Sequence, residues 1–253
     1  MKFIHILPTA FINNEDCQTS DEQLILAHLL KNEEYLKECK KFKGKLWLDN
    51  SYYEMRLNPF SVDELIKLGK KVKVEVICLP DTIFKDEEQF YKEHKQMSKK
   101  VKKAGFKVMA VVTCDKSFSI ELEEFYILNS IPEIDIISIP FVFRRNGDAL
   151  KRWKFLDMIE KNIGKENLKK KYHLFGCNSF YNLRLEKRSW IQSIDGTMPF
   201  KEGFFEQPLP VSVRQENKRP KGYFDIKRLD DEQMKIVKYN IKVMKEACEN
   251  GDN

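Results

Sequence analysis

Three aspartates in this chain stand directly behind short apolar runs: Asp49 after Leu46-Trp47-Leu48, Asp81 after Cys78-Leu79-Pro80, and Asp195 after Ser193-Ile194. A carboxylate at the end of a buried segment is costly to desolvate unless it is paired or used, so its position points to chemistry. Each one taken singly reads as the cap of a following helix or turn, because Asp is a favoured N-cap residue. Three converging on one rim read as working groups. Thr113 stands at the end of another such run, in Val112-Thr113-Cys114-Asp115, and Gly176 closes His173-Leu174-Phe175-Gly176-Cys177. His173 has two readings: a ligand or proton shuttle, and a satisfied core residue within an apolar strand. Cys17, Cys39, Cys78, Cys114, Cys177 and Cys248 form no CxC or CxxC pair, so neither a zinc knuckle nor a disulfide framework is indicated. They read as free thiols of a reducing compartment, and Cys114 and Cys177, with no partnering base in sequence, are assigned no chemistry.

The elements that must position these groups follow from hydropathy. Short apolar, β-branched runs cover Phe3 to Leu7, Leu46 to Leu48, Val74 to Leu79, Val108 to Val112, Ile134 to Ile139, Tyr172 to Phe175 and Trp190 to Ile194. Between them lie charged segments of helical period: Asp21 to Lys41, Ser61 to Lys70, Asp86 to Ala104, Ile120 to Asn129, Ala149 to Ile163 and Asp230 to Glu249. Strands apolar on both faces and joined by helical crossovers belong to parallel sheets. With a possible eighth strand at Leu209 to Val213, the alternation predicts an α/β fold, a (β/α)8 TIM-type barrel forming one domain over residues 1–253. The segment Thr197 to Phe224 is irregular and places that last strand poorly. In such a barrel the active site lies at the C-terminal ends of the strands, where the three aspartates fall.

Composition excludes more than it selects. At 253 residues, with 42% hydrophobic and 33% charged residues, only 10 Gly and 9 Pro, the chain reads as globular throughout. No stretch approaches the length of a membrane span, and the apolar run near Met1 is too short for a secretory signal, so a cytoplasmic protein is expected. A net charge of +6 favours polyanionic partners without demanding them. The lysine-rich stretches Lys99 to Lys103 and Lys165 to Lys171 read as solvated helix faces.

Taken in order, the strand-end motifs resemble those of the tRNA-guanine transglycosylase superfamily, and more closely its phage DNA-guanine transglycosylase branch. The resemblance runs over roughly Lys45 to Pro199. Asp49-Asn50-Ser51-Tyr52-Tyr53-Glu54 is similar to the family's Asp-Ser-Gly-Gly-Phe-Gln, which implies acid/base work for Asp49, base stacking for Tyr53, and substrate contacts for Asn50 and Ser51. Cys78-Leu79-Pro80-Asp81 falls where the family carries the aspartate that reads guanine, whose N1–H and N2–H a carboxylate can accept together. Ile194-Asp195-Gly196-Thr197-Met198-Pro199 resembles the motif of the nucleophile, which carries that role to Asp195. Thr113 and Gly176 fall beside the base. Two departures stand out: the tRNA enzymes' zinc cluster is missing, and Thr113 and Cys114 occupy the neighbourhood of their glutamine.

The implied reaction replaces guanine in DNA, or alternatively in tRNA, by a free 7-deazaguanine base such as preQ0, without metal or redox cofactor. Asp195 would attack C1′ of the nucleotide while Asp49 manages the proton on the base, as the two carboxylates of a retaining glycosidase do. Phosphates would need basic donors, for which Arg144, Arg145, Lys151 and Arg152, following Ile139-Pro140, are the candidates; a solvated loop is their alternative. A barrel that only binds nucleic acid, or one that hydrolyses the glycosidic bond with water, remains the competing class.

Overall fold

The computed structural model describes residues 1–249 apart from 53, 56, 83–85, 114–116, 142, 146–147, 151, 178 and 212–216, and at 118, 143–145, 148–150 and 182 it describes the main chain alone. The strands are β1 (Lys2–His5), β2 (Glu22–Leu26), β3 (Lys45–Asp49), β4 (Val76–Cys78), β5 (Lys107–Val111), β6 (Ile136–Pro140), β7 (Phe143–Arg145), β8 (Asp148–Leu150), β9 (Lys171–Phe175) and β10 (Ser193–Gly196). Among the described residues eight of them close a barrel in the order β1-β10-β9-β6-β5-β4-β3-β2, every pairing parallel, while β7 and β8 form a separate antiparallel pair. Helices α1 (Glu33–Lys41), α2 (Val62–Val72), α3 (Glu87–Lys103), α4 (Phe118–Ser130), α5 (Arg152–Ile163), α6 (Phe180–Glu186), α7 (Met198–Phe204) and α8 (Asp231–Glu249) surround it. The (β/α)8 barrel expected from the alternation of apolar runs is the fold.

The period-two alternation of each strand divides the core. Ile4, Ile6, Leu24, Trp47, Val76, Cys78, Met109 and Ile136 point inward and pack together inside the barrel. Their neighbours, among them Phe3, Ile25, Leu46, Leu48, Ile77 and Ile137, point outward and join the helices in the larger cluster. The same alternation turns Asp49, His173 and Asp195 to the inside, two residues beyond or beside inward-facing positions of their strands.

Two expectations about the strands are corrected. Asp21 to Lys41 is not one helix: its first part is β2, followed by a 3₁₀ turn at Ala27–Lys31, and only Glu33–Lys41 is α-helical. Gln23, Leu24, Ile25 and Leu26 are all buried, since the strand has the barrel interior on one face and the outer layer on the other. A strand buried on both faces reads as a continuous apolar run, which periodicity alone does not separate from a buried helix. The eighth strand is therefore β2, and the barrel closes without Leu209 to Val213. Of that segment residues 212 and 213 lie outside the described residues, and Leu209 donates its N–H to Oδ1 of Asn240 on α8 at 2.7 Å instead of to a strand.

No α-helix separates β1 from β2; the gap in the outer ring is covered by α8, which packs on β1 and on α7. The terminal ammonium of Met1 donates to the carbonyl of Cys248 at 3.2 Å, and Lys238 pairs with Asp16 at 2.7 Å. The irregular segment after Thr197 contains α7, in which Lys201 and the fully buried Glu202 pair at 2.8 Å and Glu202 also accepts from Asn217. Among the described residues no helix is long and apolar enough to cross a membrane.

Candidate active site

Asp195 occupies the C-terminal end of β10 and is 2% exposed. Its Oδ1 faces Nε2 of His173 at 3.0 Å and accepts from the Gly176 amide at 2.8 Å. The other imidazole nitrogen, Nδ1, lies 2.8 Å from the Ser193 hydroxyl. A neutral ring satisfies both contacts when Nε2 carries the proton and donates to Asp195 while Nδ1 accepts from Ser193. Below the carboxylate the imidazole packs against Trp47 of β3, ring centroids 5.4 Å apart, and against Phe175 at 5.3 Å. His173 is thus the satisfied core residue of the structural reading, and its partner is the carboxylate singled out for chemistry. The Ser193–His173–Asp195 order has the residue types of a hydrolase triad in an arrangement unsuited to it. Ser193 begins β10, two residues before Asp195 and farther from the C-terminal ends of the strands where barrel active sites lie.

Asp49 ends β3 on the same rim. Burial does most to raise its carboxyl, the negative charges of Glu54, Asp195 and Asp81 add to this, and the Ser51 N–H donated to its Oδ1 at 3.1 Å works the other way; the result is a pKa pushed up to about 8. Asp49 and Asp195 lie at the C-terminal ends of parallel strands of one barrel, and Asp81 follows β4 on the same side, so the aspartates behind three different apolar runs lie at one mouth. Asn50 donates its amide to the carbonyl of Leu79 at 2.6 Å and to Oδ1 of Asp81 at 2.9 Å, which holds Asp81 beside the Asp49 turn. Ser51 has φ +57°, is fully buried, and accepts the His28 N–H on its hydroxyl at 3.2 Å. Two of the residues expected to touch substrate are spent on this scaffold: Asn50 positions Asp81, and Ser51 has no exposed surface to offer.

Gly176 follows β9 with φ +78°, a left-handed conformation that a side chain resists, and that turn aims its N–H at Asp195. Arg152 departs from expectation. It is 1% exposed, and its guanidinium donates to the carbonyls of Ile139 at 3.1 Å, Phe175 at 2.8 Å and Gly176 at 2.9 Å and to Glu186 at 2.6 Å. A side chain so enclosed does not contact a phosphate backbone. Thr113 is also turned away from the mouth, its hydroxyl donated to the buried carboxylate of Glu124 at 2.6 Å. Tyr53 and Lys151 lie outside the described residues, as do the side chains of Arg144 and Arg145, whose main chain forms part of β7.

Several neighbours of the site carried no sequence signal. His28 stands just past β2, its Nδ1 enclosed with no hydrogen-bond partner among the described residues; burial lowers its pKa first, Arg219 and Lys31 lower it further, and Glu54 opposes them. It sits inside the unbroken apolar run Leu24 to Leu30, so nothing in the sequence marks it as a strand-end residue. Glu54, whose charge weighs on Asp49, is 3.6 Å from Arg219. Glu186 was invisible because its partner lies on another helix. Among the described residues no group of three His, Cys, Asp or Glu side chains is arranged to hold a metal ion. Compared with known proteins, the chain matches no family model and no curated protein.

Proposed function

We propose that this chain is a guanine transglycosylase that exchanges guanine in DNA for a 7-deazaguanine base of the preQ0 kind through a covalent glycosyl-aspartate intermediate. The observation that carries the reading is the division of labour between two carboxyls at one barrel mouth. Asp49 keeps its proton up to about 8, and among the described residues Asp195 receives its two N–H groups on a single oxygen, Oδ1, which leaves Oδ2 for bond formation. Glycosyl exchange asks for a proton donor and a nucleophile placed in this way.

In the first half-reaction Asp195 forms a bond to C1′ as the C1′–N9 bond breaks. The electron pair leaves on the base, and the proton of Asp49 neutralises it. In the second, Asp49 as carboxylate takes the ring N–H proton of the incoming base, whose nitrogen attacks C1′ and releases Asp195. Asp81, fixed by Asn50, accepts the N1–H and N2–H of either base. The target nucleotide is turned out of its stack to reach the mouth, at a cost of a few kcal/mol.

The test is transfer of radiolabelled guanine and preQ0 into DNA and into tRNA by the purified protein, with Asp195→Ala and Asp49→Ala in parallel. Label entering DNA and lost in both variants supports the reading. Label in tRNA alone moves the substrate, and release of free guanine without an incoming base makes the enzyme a hydrolase.

A further inference from the structure

Arg152 and Asp195 never touch, yet the two peptide groups flanking Gly176 lie between them. In the first group the carbonyl of Phe175 accepts from Nη1 of Arg152 at 2.8 Å, and the N–H on the other side of that plane, belonging to Gly176, donates to Oδ1 of Asp195 at 2.8 Å. In the second the carbonyl of Gly176 accepts from Nη2 of Arg152 at 2.9 Å, and the N–H of Cys177 donates to the main-chain carbonyl of Asp195 at 2.6 Å. One permanently charged fork grips both carbonyls, and both N–H groups emerge at the same aspartate.

We propose that Arg152 is a positioning residue for Asp195, acting through the peptide groups Phe175–Gly176 and Gly176–Cys177. The guanidinium sets the planes of these groups and polarises them, so each N–H is a stronger donor than an amide whose carbonyl faces water. Glu186 fixes the fork by its 2.6 Å pair, and the carbonyl of Ile139, at 3.1 Å, holds it to the mouth of β6. Gly176 gives the chain the φ of +78° that lets both planes face Arg152 on one side and Asp195 on the other. The catalytic part of this inference rests on Asp195 being the nucleophile; the hydrogen-bond relay does not.

The experiment reads the relay and the reaction separately. Arg152→Lys keeps the charge, but one ammonium cannot serve four acceptors in the geometry of the fork. Arg152→Met combined with Glu186→Leu removes the buried pair whole, a replacement that packed interiors often accept. In whichever variant retains a cooperative thermal transition, the Gly176 amide proton in the ¹H–¹⁵N spectrum moves upfield relative to the unaltered chain. Turnover in the label-transfer assay falls roughly ten- to hundredfold, with KM for the incoming base unchanged, as expected when a nucleophile is misplaced. An amide that moves in a protein showing no base exchange supports the relay while removing the proposed reaction. An unmoved Gly176 amide in a folded variant overturns the proposal. So does failure of both variants to fold, because Arg152 would then serve the fold alone.

Discussion

His173 and Asp195 face each other at 3.0 Å across adjacent strands, with Ser193 on the far nitrogen of the imidazole at 2.8 Å. The register that pairs Ser193 with His173 and Ile194 with Leu174 brings the three side chains to the inside of the barrel in one line. The ring therefore serves as both filler and donor, and the two roles can be separated.

His173→Phe keeps a ring of similar size against Trp47 and Phe175 and deletes both polar contacts. Asp195 loses one of the two N–H donors it has among the described residues, and Ser193 loses its acceptor. Stability should fall by about 1–3 kcal/mol in urea unfolding, the cost of stranded buried polar groups. Turnover should fall at least tenfold, or about 1.4 kcal/mol of barrel-mouth stabilisation of the transition state. A variant with full turnover would show that the imidazole does nothing for the carboxylate.

The Asp49 carboxyl, ordinarily near 3.8, is pushed up to about 8 in the folded chain. The folded state then holds the proton more tightly than the unfolded state does. The resulting stabilisation is complete below the ordinary value and is lost as pH rises to about 8. Asp49→Asn, which imitates the protonated carboxyl at every pH, should gain in melting temperature over the unaltered chain as pH rises from about 4 to about 8, and then run parallel to it. Thermal melts across that window check the sign; a constant difference would mean that Asp49 titrates alike in both states. In the proposed base exchange, the half-reaction that draws a proton from Asp49 should decline above about pH 8 for the same reason.

Gly176→Ala and Gly105→Ala form a matched pair. Both glycines have positive φ, +78° and +94°, so each substitution strains the backbone by about 1–2 kcal/mol. At Gly105 an added methyl meets nothing within 4 Å, whereas at Gly176 it comes within 3.4 Å of the Phe141 Cβ and disturbs an amide that serves Asp195. Chemical denaturation should therefore record similar losses for both, while label transfer should fall only for Gly176→Ala. Equal activity in the two variants would detach the Gly176 amide from the chemistry.

Much of this architecture is legible in the sequence because it is written in local patterns. Seven of the barrel strands coincide with apolar runs, and Asp49, Asp81 and Asp195 can be picked out before any fold is known, since each requires only its own few neighbours. β2 escapes that reading: Leu24-Ile25-Leu26-Ala27 continues into His28-Leu29-Leu30 with no break, and what makes the first part a strand is pairing with β1 and β3, segments it meets only in space. His28, directly after β2, is hidden for the same reason.

What the chain alone determined, then, is the alternation and the placing of acids behind strands, both properties of sequence neighbours. Tertiary structure alone decided which polar groups are free to work. Arg152 reads as a surface cation until Ile139, Phe175, Gly176 and Glu186 close around it, and Asn50 reads as a ligand until Asp81 takes its amide. The proton on Asp49 belongs to the same class: desolvation and the charges of Glu54, Asp195 and Asp81 set it, and long-range folding brings Asp195 and Asp81 to its side.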